Sequence, residues 1–128
     1  MSVPTREAAR VDLRLTTNAD TVLTFAMTDG ATPPGPIDLT GIRVHAQIRP
    51  DASDLTVLMS LDGEGFATIS DAAAGAITIA IPAAAAARVG VPHREKPIAA
   101  WDLLLCTDAP QTVRVIEGDV FLFPGVTR

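Results

Sequence analysis

The fold is decided by one stretch of the chain, Ile37-Asp-Leu-Thr-Gly-Ile-Arg-Val-His-Ala-Gln-Ile-Arg49. Asp38 to Gly41 is predicted to form a turn, because Asp and Thr side chains can hydrogen-bond to the nearby backbone and Gly accepts a positive φ. From Ile42 onward apolar and polar residues alternate, which indicates a strand with one dry and one wet face. A strand entered through a fixed turn has a pinned register. We therefore expect a central strand over residues 42–49.

Short apolar-rich segments separated by turn signals recur along the rest of the chain. Asp62-Gly-Glu-Gly65 is a hairpin signal, and Gly118 is expected to mark a β-bulge between the last two strands. Short strands at spacings of about 8–12 residues are typical of an antiparallel sandwich. Besides the central strand, we predict strands over residues 11–16, 21–28, 55–61, 66–70, 77–81, 99–107, 112–117 and 119–123.

One short helix is predicted near residues 82–89. Pro82 suits the first helical position, an alanine run follows, and Gly90 stands just past the end. So short a helix is marginal alone and must pack on the sheet edge. A length of 128 residues indicates one domain. We expect an N-terminal arm over residues 1–9, which have no periodicity, and a sandwich over residues 10–128.

Composition argues against several function classes. The net charge is −5, and the ten cations, nine of them Arg, are scattered, so no nucleic-acid surface is expected. The single Cys106 excludes a disulfide within the chain. No apolar segment has the length of a signal peptide core or a membrane span, so we expect a chain made and kept in the cytoplasm until assembly.

The residues that bind metals are present but not grouped. His45, His93 and Cys106 stand in three separate segments without ligand spacing, so no transition-metal site is predicted. Four acidic residues in two loops have oxygen ligands suited to calcium, but they lack a calcium-loop pattern and are expected in turns for backbone reasons. These are Asp51, Asp54, Asp62 and Glu64.

Catalysis and stacking are not indicated either. The serines lie outside any Gly-x-Ser-x-Gly elbow, and no glycine-rich phosphate loop precedes a helix. Trp101 is in phase with Leu103 and Leu105, which favours a core position over a stacking platform for a sugar or base. We therefore expect no enzyme and no cofactor.

The remaining signals concern interaction. The predicted strand 21–28 is apolar on both faces, and the run Val120-Phe-Leu-Phe123 is too apolar to alternate cleanly. Surplus apolar strand surface indicates a covered outer face or a paired edge. Ordinary scatter of exposed apolar residues is the alternative.

Asp38-Leu-Thr-Gly-Ile-Arg-Val44 resembles the turn and strand of small immunoglobulin-like domains in tailed-phage and prophage tail proteins. These include the N-terminal domain of upper baseplate proteins. The resemblance spans about residues 10–128, although Trp101 stands where the family often has Tyr. Further matching segments are Asp71-Ala-Ala-Ala-Gly-Ala-Ile-Thr-Ile-Ala-Ile-Pro82, Ala100-Trp-Asp-Leu-Leu-Leu105 and Val115-Ile-Glu-Gly-Asp-Val120.

The resemblance implies an immunoglobulin-like antiparallel β-sandwich and a structural protein of a phage tail or phage-derived particle. The chain would sit at the tail tip or baseplate of the virion and link the tail to fibres or receptor-binding proteins. Partners would be other tail and fibre proteins and further copies in a homo-oligomeric ring. The alternative function is a small recognition module that binds a glycan or host surface. We expect contacts from both ends of the chain, namely Val3, Arg6, Val120, Phe121, Phe123 and Arg128.

Overall fold

Two β-sheets pack face to face around an apolar core in the computed structural model, which describes residues 9–28, 35–51, 53–107 and 111–125. The helix α1 spans Ala83–Ala86. The strands are β1 Ala9–Arg10, β2 Leu13–Thr16, β3 Thr21–Ala26, β4 Arg43–Arg49, β5 Met59–Ser60, β6 Ala67–Asp71, β7 Ala76–Ile81, β8 Ala99–Cys106 and β9 Thr112–Phe123.

The sheet topology is that of an immunoglobulin domain. The larger sheet has the order β1-β9-β8-β4-β5, with β2 also paired to β9, and the smaller sheet has the order β3-β7-β6. In immunoglobulin terms β3, β7 and β6 correspond to strands B, E and D, and β9, β8 and β4 to G, F and C. Only β1 and β2, which run along β9, make parallel pairs among the described strands. The predicted immunoglobulin-like β-sandwich with one short helix is confirmed.

The central strand forms as predicted. The carboxylate of Asp38 accepts hydrogen bonds from the Thr40 N–H and hydroxyl at 2.9 and 2.6 Å, and Gly41 takes a φ of 79°. These bonds hold the pKa of the Asp38 carboxyl below its ordinary value. Beyond the turn, Ala46 and Ile48 are fully buried while β4 pairs with β8 along its whole length.

The two sheets meet through an aromatic contact. Phe25 of β3 and Trp101 of β8 lie with ring centroids 6.4 Å apart. Antibody domains join the same two strands by a disulfide. In this chain Cys106 lies at an outward-facing position of β8 and is free, so apolar packing holds the sheets together.

The helix is shorter than the pattern predicts. It begins after Pro82, and the Asp20 carboxylate accepts a hydrogen bond from the Ala83 N–H at 2.9 Å. Ala85 and Ala86 are buried, so the helix packs onto the sandwich as expected of so short an element.

The prediction of a strand over residues 55–61 is largely wrong. Only Met59–Ser60 pairs with β4, while Leu55 is 85% exposed. The cause is local, because the Asp51 and Asp54 carboxylates accept bonds from backbone N–H groups two residues on and hold the segment in turns.

The prediction of a hairpin at Asp62-Gly-Glu-Gly65 is also wrong. This turn connects β5 in the larger sheet to β6 in the smaller sheet, so the chain crosses the sandwich there. The turn residues behave as predicted, with Gly65 at a φ of 80°, but the strands they join do not pair with each other.

Gly118 does not mark a bulge, which corrects the prediction that β9 is broken there. The strand is continuous, and the register shift lies at Val115, an extra residue opposite Leu103 and Leu104. Gly118 is instead a point of close approach, because a Cβ at this position would overlap the Val11 carbonyl oxygen. The Trp101 indole N–H donates to that same oxygen at 2.8 Å.

Replacing Gly118 by Ala is therefore expected to force Val11 away from β9 and to lower the free energy of unfolding by about 2–3 kcal/mol. Chemical denaturation measures this. Gly90→Ala is the matched control, since its Cβ would meet only the flexible end of Ile98 at 3.3 Å. Equal effects of the two substitutions would contradict the close approach.

Candidate interaction surface

The outer face of the larger sheet presents polar side chains from four strands. Apolar residues alternate with them and face the core. The polar side chains line an open depression of about 410 Å³. We call this surface the polar face, and its members are Arg10, His45, Gln47, Arg49, Asp102, Arg114, Glu117 and Asp119.

Strand register arranges the polar face in rows. Gln47 lies opposite Asp102, which lies opposite Glu117, which in turn lies beside Arg10. Directly opposite side chains on one face have Cβ atoms about 5 Å apart. The backbone ladder therefore places four side chains that are distant in the sequence in one line across the sheet.

Two of the arginines on this face are paired with carboxylates of the same face. Arg10 contacts Asp119 at 2.7 Å, and Arg114 contacts Glu117 at 2.7 Å and Asp102 at 3.8 Å. The arginine side chains are more than half exposed, so each pair is worth only about 0–1 kcal/mol. The pairs fix the orientation of the side chains more than they stabilise the fold.

Arg49 is held differently. Its guanidinium donates to the Gln47 side-chain oxygen at 2.8 and 3.3 Å and to the Asp54 carbonyl oxygen at 3.2 Å. These acceptors are neutral, and the described residues offer no carboxylate within ion-pair distance. An oriented, uncompensated guanidinium suits the carboxylate of a partner.

At the edge of the depression His45 contacts Asp62. One Asp62 oxygen accepts the Ala46 N–H at 3.0 Å, and the other lies 3.1 Å from His45 Nδ1. Partial burial raises the pKa of the Asp62 carboxyl, but the bonds from Ala46 and His45 outweigh burial, and the net pKa lies below 3.8. This carboxylate ties the turn between β5 and β6 to the central strand.

The lowered pKa of Asp62 predicts a stability loss in acid. Because the pKa is lower in the folded than in the unfolded chain, the contribution is present above pH 3.8 and is lost as pH falls through the folded value. The denaturant midpoint should be lower at about pH 3 than at about pH 6, and this difference should be smaller in Asp62→Asn. An equal fall in the variant would contradict this role.

The terminal apolar run alternates cleanly in the structure. Val120 is fully buried and Leu122 faces the core beside it, whereas Phe121 and Phe123 lie on the outer face. The two phenylalanine rings stack with centroids 5.9 Å apart, and the Arg14 guanidinium lies 5.1 Å from the Phe121 centroid. We call Arg14, Phe121 and Phe123 the aromatic end of the outer face.

The predicted contact residues therefore divide into three groups. Phe121 and Phe123 stand where a partner can touch them, and their role stays a prediction. Val120 points into the core and offers no side chain at the surface. Val3, Arg6 and Arg128 lie outside the described residues.

The candidate ligands and the indole are located as follows. His93 Nδ1 accepts the backbone N–H groups of Glu95 and Lys96 in a loop, and the His93 backbone N–H donates to the Leu122 carbonyl oxygen of β9. Within the described residues no three His, Cys, Asp or Glu side chains gather in a metal-binding group. Trp101 is 3% exposed, so its predicted core position is confirmed.

Apart from His45, sequence reasoning had not singled out the residues of the polar face. Those on β4, β8 and β9 are outward members of alternating pairs, which is a signal the sequence contains, whereas both residues of β1 are exposed. Their meeting depends on β8 lying between β4 and β9, and strand order is not written in local patterns.

No protein-family model and no curated protein matches this chain. Among solved structures, it is similar to a chain in the crystal structure of ICOS in complex with ICOS-L and an anti-ICOS-L VNAR domain, at 16% identity and a TM-score of 0.45. The match covers 92% of this chain and 56% of that one, so this chain spans just over half the length of its neighbour. A match of this strength supports no inference about function.

In the described part of the chain, no helix has the length and apolar character required to cross a bilayer.

Proposed function

We propose that this chain is a structural interaction protein of a phage tail or phage-derived particle, placed at the tail tip or baseplate, where it links the tail to fibre or receptor-binding proteins. The observation that carries the proposal is the polar face with its aromatic end. This surface is built by strand register, and among the described residues its Arg49 has only neutral acceptors.

The attribution to a phage tail is supported by the residues that resemble tail domains. Asp38 to Val44 forms the hydrogen-bonded turn and the first part of the central strand. The segment from Asp71 to Pro82 forms the β6–β7 turn, β7 and the entry to α1. The resembling motifs thus contribute to both sheets of the sandwich, of which the larger carries the proposed contact surface.

The composition of the surface favours a protein partner. Arginine and aromatic residues are enriched at protein interfaces, and Arg and Phe stand together at the aromatic end. Three arginines and three carboxylates on the polar face allow a partner of mixed charge to find complementary pairs. The only indole of the chain, Trp101, is in the core and offers no stacking platform to a glycan.

Arg49→Ala tests the surface in assembled particles. The variant keeps its fold but loses the oriented cation, so its copy number per purified tail should fall by at least about tenfold, equivalent to about 1.4 kcal/mol. Quantitative mass spectrometry of purified tails measures this number. Arg43→Ala is the matched control, because Arg43 lies on the same face of β4 outside the depression.

Absence of the wild-type chain from purified tails would overturn the proposed function. Normal incorporation of Arg49→Ala would overturn the assignment of the polar face. Binding of the purified wild-type protein to a glycan array, with no incorporation into tails, would favour a recognition module instead.

A further inference from the structure

Among the described strands, β3 forms an edge of the smaller sheet with one partner. β3 pairs with β7 along all six residues, and no described strand lies on its other side. The strand reads Thr-Val-Leu-Thr-Phe-Ala and contains no charge, proline or glycine. It therefore lacks the features that commonly protect an edge strand from pairing with another chain.

The hydrogen-bond phase shows which groups face this edge. The Met27 N–H donates to the Gly75 carbonyl at 2.8 Å, and hydrogen-bonded pairs alternate along an antiparallel ladder. Counting back from this pair, Val22, Thr24 and Ala26 direct their N–H and C=O groups away from β7. The N–H of Ala80, which lies opposite Val22, agrees with this phase because it donates to Phe66 on the far side of β7.

The side chains at this edge are apolar and incompletely covered. Val22 is 63% exposed on the outer face. On the inner face Leu23 and Phe25 are half-buried, and Phe25 lines a cleft of about 460 Å³ that opens between the two sheets. Apolar residues continue the cleft lining, including Val11, Met27 and Ile116.

We propose that a second copy of this chain binds here, with the two β3 strands antiparallel about a twofold axis through Thr24. Thr24 then lies opposite Thr24 of the partner subunit, and Val22 opposite Ala26 of the partner subunit. Every outward N–H and C=O group of the strand gains a backbone partner. One continuous sheet runs from β6 of one copy to β6 of the other.

Self-complementarity is what selects a second copy as the occupant. In this register Leu23 lies opposite Phe25 of the partner subunit, so apolar pairs meet on the inner face, and Val22 meets an alanine on the outer face. No like charges oppose each other, because the strand has none. A twofold axis through Leu23 would also pair outward residues, Val22 with Thr24, but it would place Ala26 opposite Asp20, which lies outside β3. The axis through Thr24 is the one that pairs all three outward residues within the strand.

Site-specific disulfide formation tests this register. Hydrogen-bonded antiparallel pairs have Cα atoms about 5.5 Å apart, which is within the range of a disulfide. In a Cys106→Ser background, Thr24→Cys is expected to form a covalent dimer under mild oxidation. Val22→Cys alone should not, since its partner is residue 26, but a mixture of Val22→Cys and Ala26→Cys chains should.

Thr68→Cys is the matched control for chance collisions, because Thr68 is an exposed threonine in the same cross-sheet row at the opposite edge of the sheet. Equal crosslinking of Thr68→Cys and Thr24→Cys would overturn the proposal. So would failure of Thr24→Cys to crosslink.

Sedimentation equilibrium over a concentration series provides an independent measurement. The wild-type chain should dimerise, and Thr24→Lys, which places two ammonium groups across the axis, should weaken the dimer by at least about tenfold. Thr68→Lys should leave it unchanged. A wild-type chain that is monomeric throughout, whether its edge is free or covered by its own residues, would overturn the proposal, as would a Thr24→Lys chain that dimerises like wild type.

Discussion

The fold depends on how the segment from Ala9 to Thr16 is attached to β9. The Val11 N–H donates to the Glu117 backbone carbonyl oxygen at 2.9 Å. The Val11 carbonyl oxygen accepts the Trp101 indole N–H at 2.8 Å and lies against Gly118. The Asp119 N–H donates to the Asp12 carboxylate at 2.9 Å. These contacts hold the two residues between β1 and β2, so both strands remain parallel to β9.

Both candidate surfaces follow from that attachment. Because β1 lies beside β9, Arg10 joins the polar face and pairs with Asp119. Because β2 also lies beside β9, Arg14 reaches the ring of Phe121. Because β1 and β2 pair with β9, no described strand lies on the outer side of β3, so the larger sheet carries the candidate contact face and the smaller sheet has the candidate edge.

The two surfaces belong to different sheets and do not compete. The polar face and its aromatic end lie on the outside of the larger sheet, whereas β3 is an edge strand of the smaller sheet. A dimer formed through β3 therefore leaves both polar faces accessible. Such an arrangement suits a component that joins a second copy of itself on one side and another protein on the other.

Local patterns predicted what local forces control. The turn at Asp38 and the alternation of β4 and β7 appear in the structure because side chain–backbone bonds and burial act within a few residues. The alternation over residues 55–61 predicted a strand wrongly, because side chain–backbone bonds at Asp51 and Asp54 hold that segment in turns. The turn at Gly65 has the same local chemistry in a hairpin and in a crossover, so the sequence does not show whether the strands on its two sides pair with each other.

Long-range geometry accounts for the rest. The role of Gly118 depends on the distant Val11, and the rows of the polar face depend on strand order and on the bulge at Val115. Alternation in the sequence predicts that Asp102 and Glu117 point outward, but only the register shows that they lie side by side. The apolar composition of residues 21–28 indicated a covered face or a paired edge. Among the described strands β3 has no second partner, because β2 pairs with β9.

The pairing of residues 9–16 is the central claim, and cross-strand nuclear Overhauser effects measure it most directly. We predict a ladder of backbone contacts that joins Leu13–Thr16 to Val120–Phe123 in parallel register. A ladder that instead joins residues 9–16 to Thr21–Ala26 would contradict it, since β3 would then have no open edge.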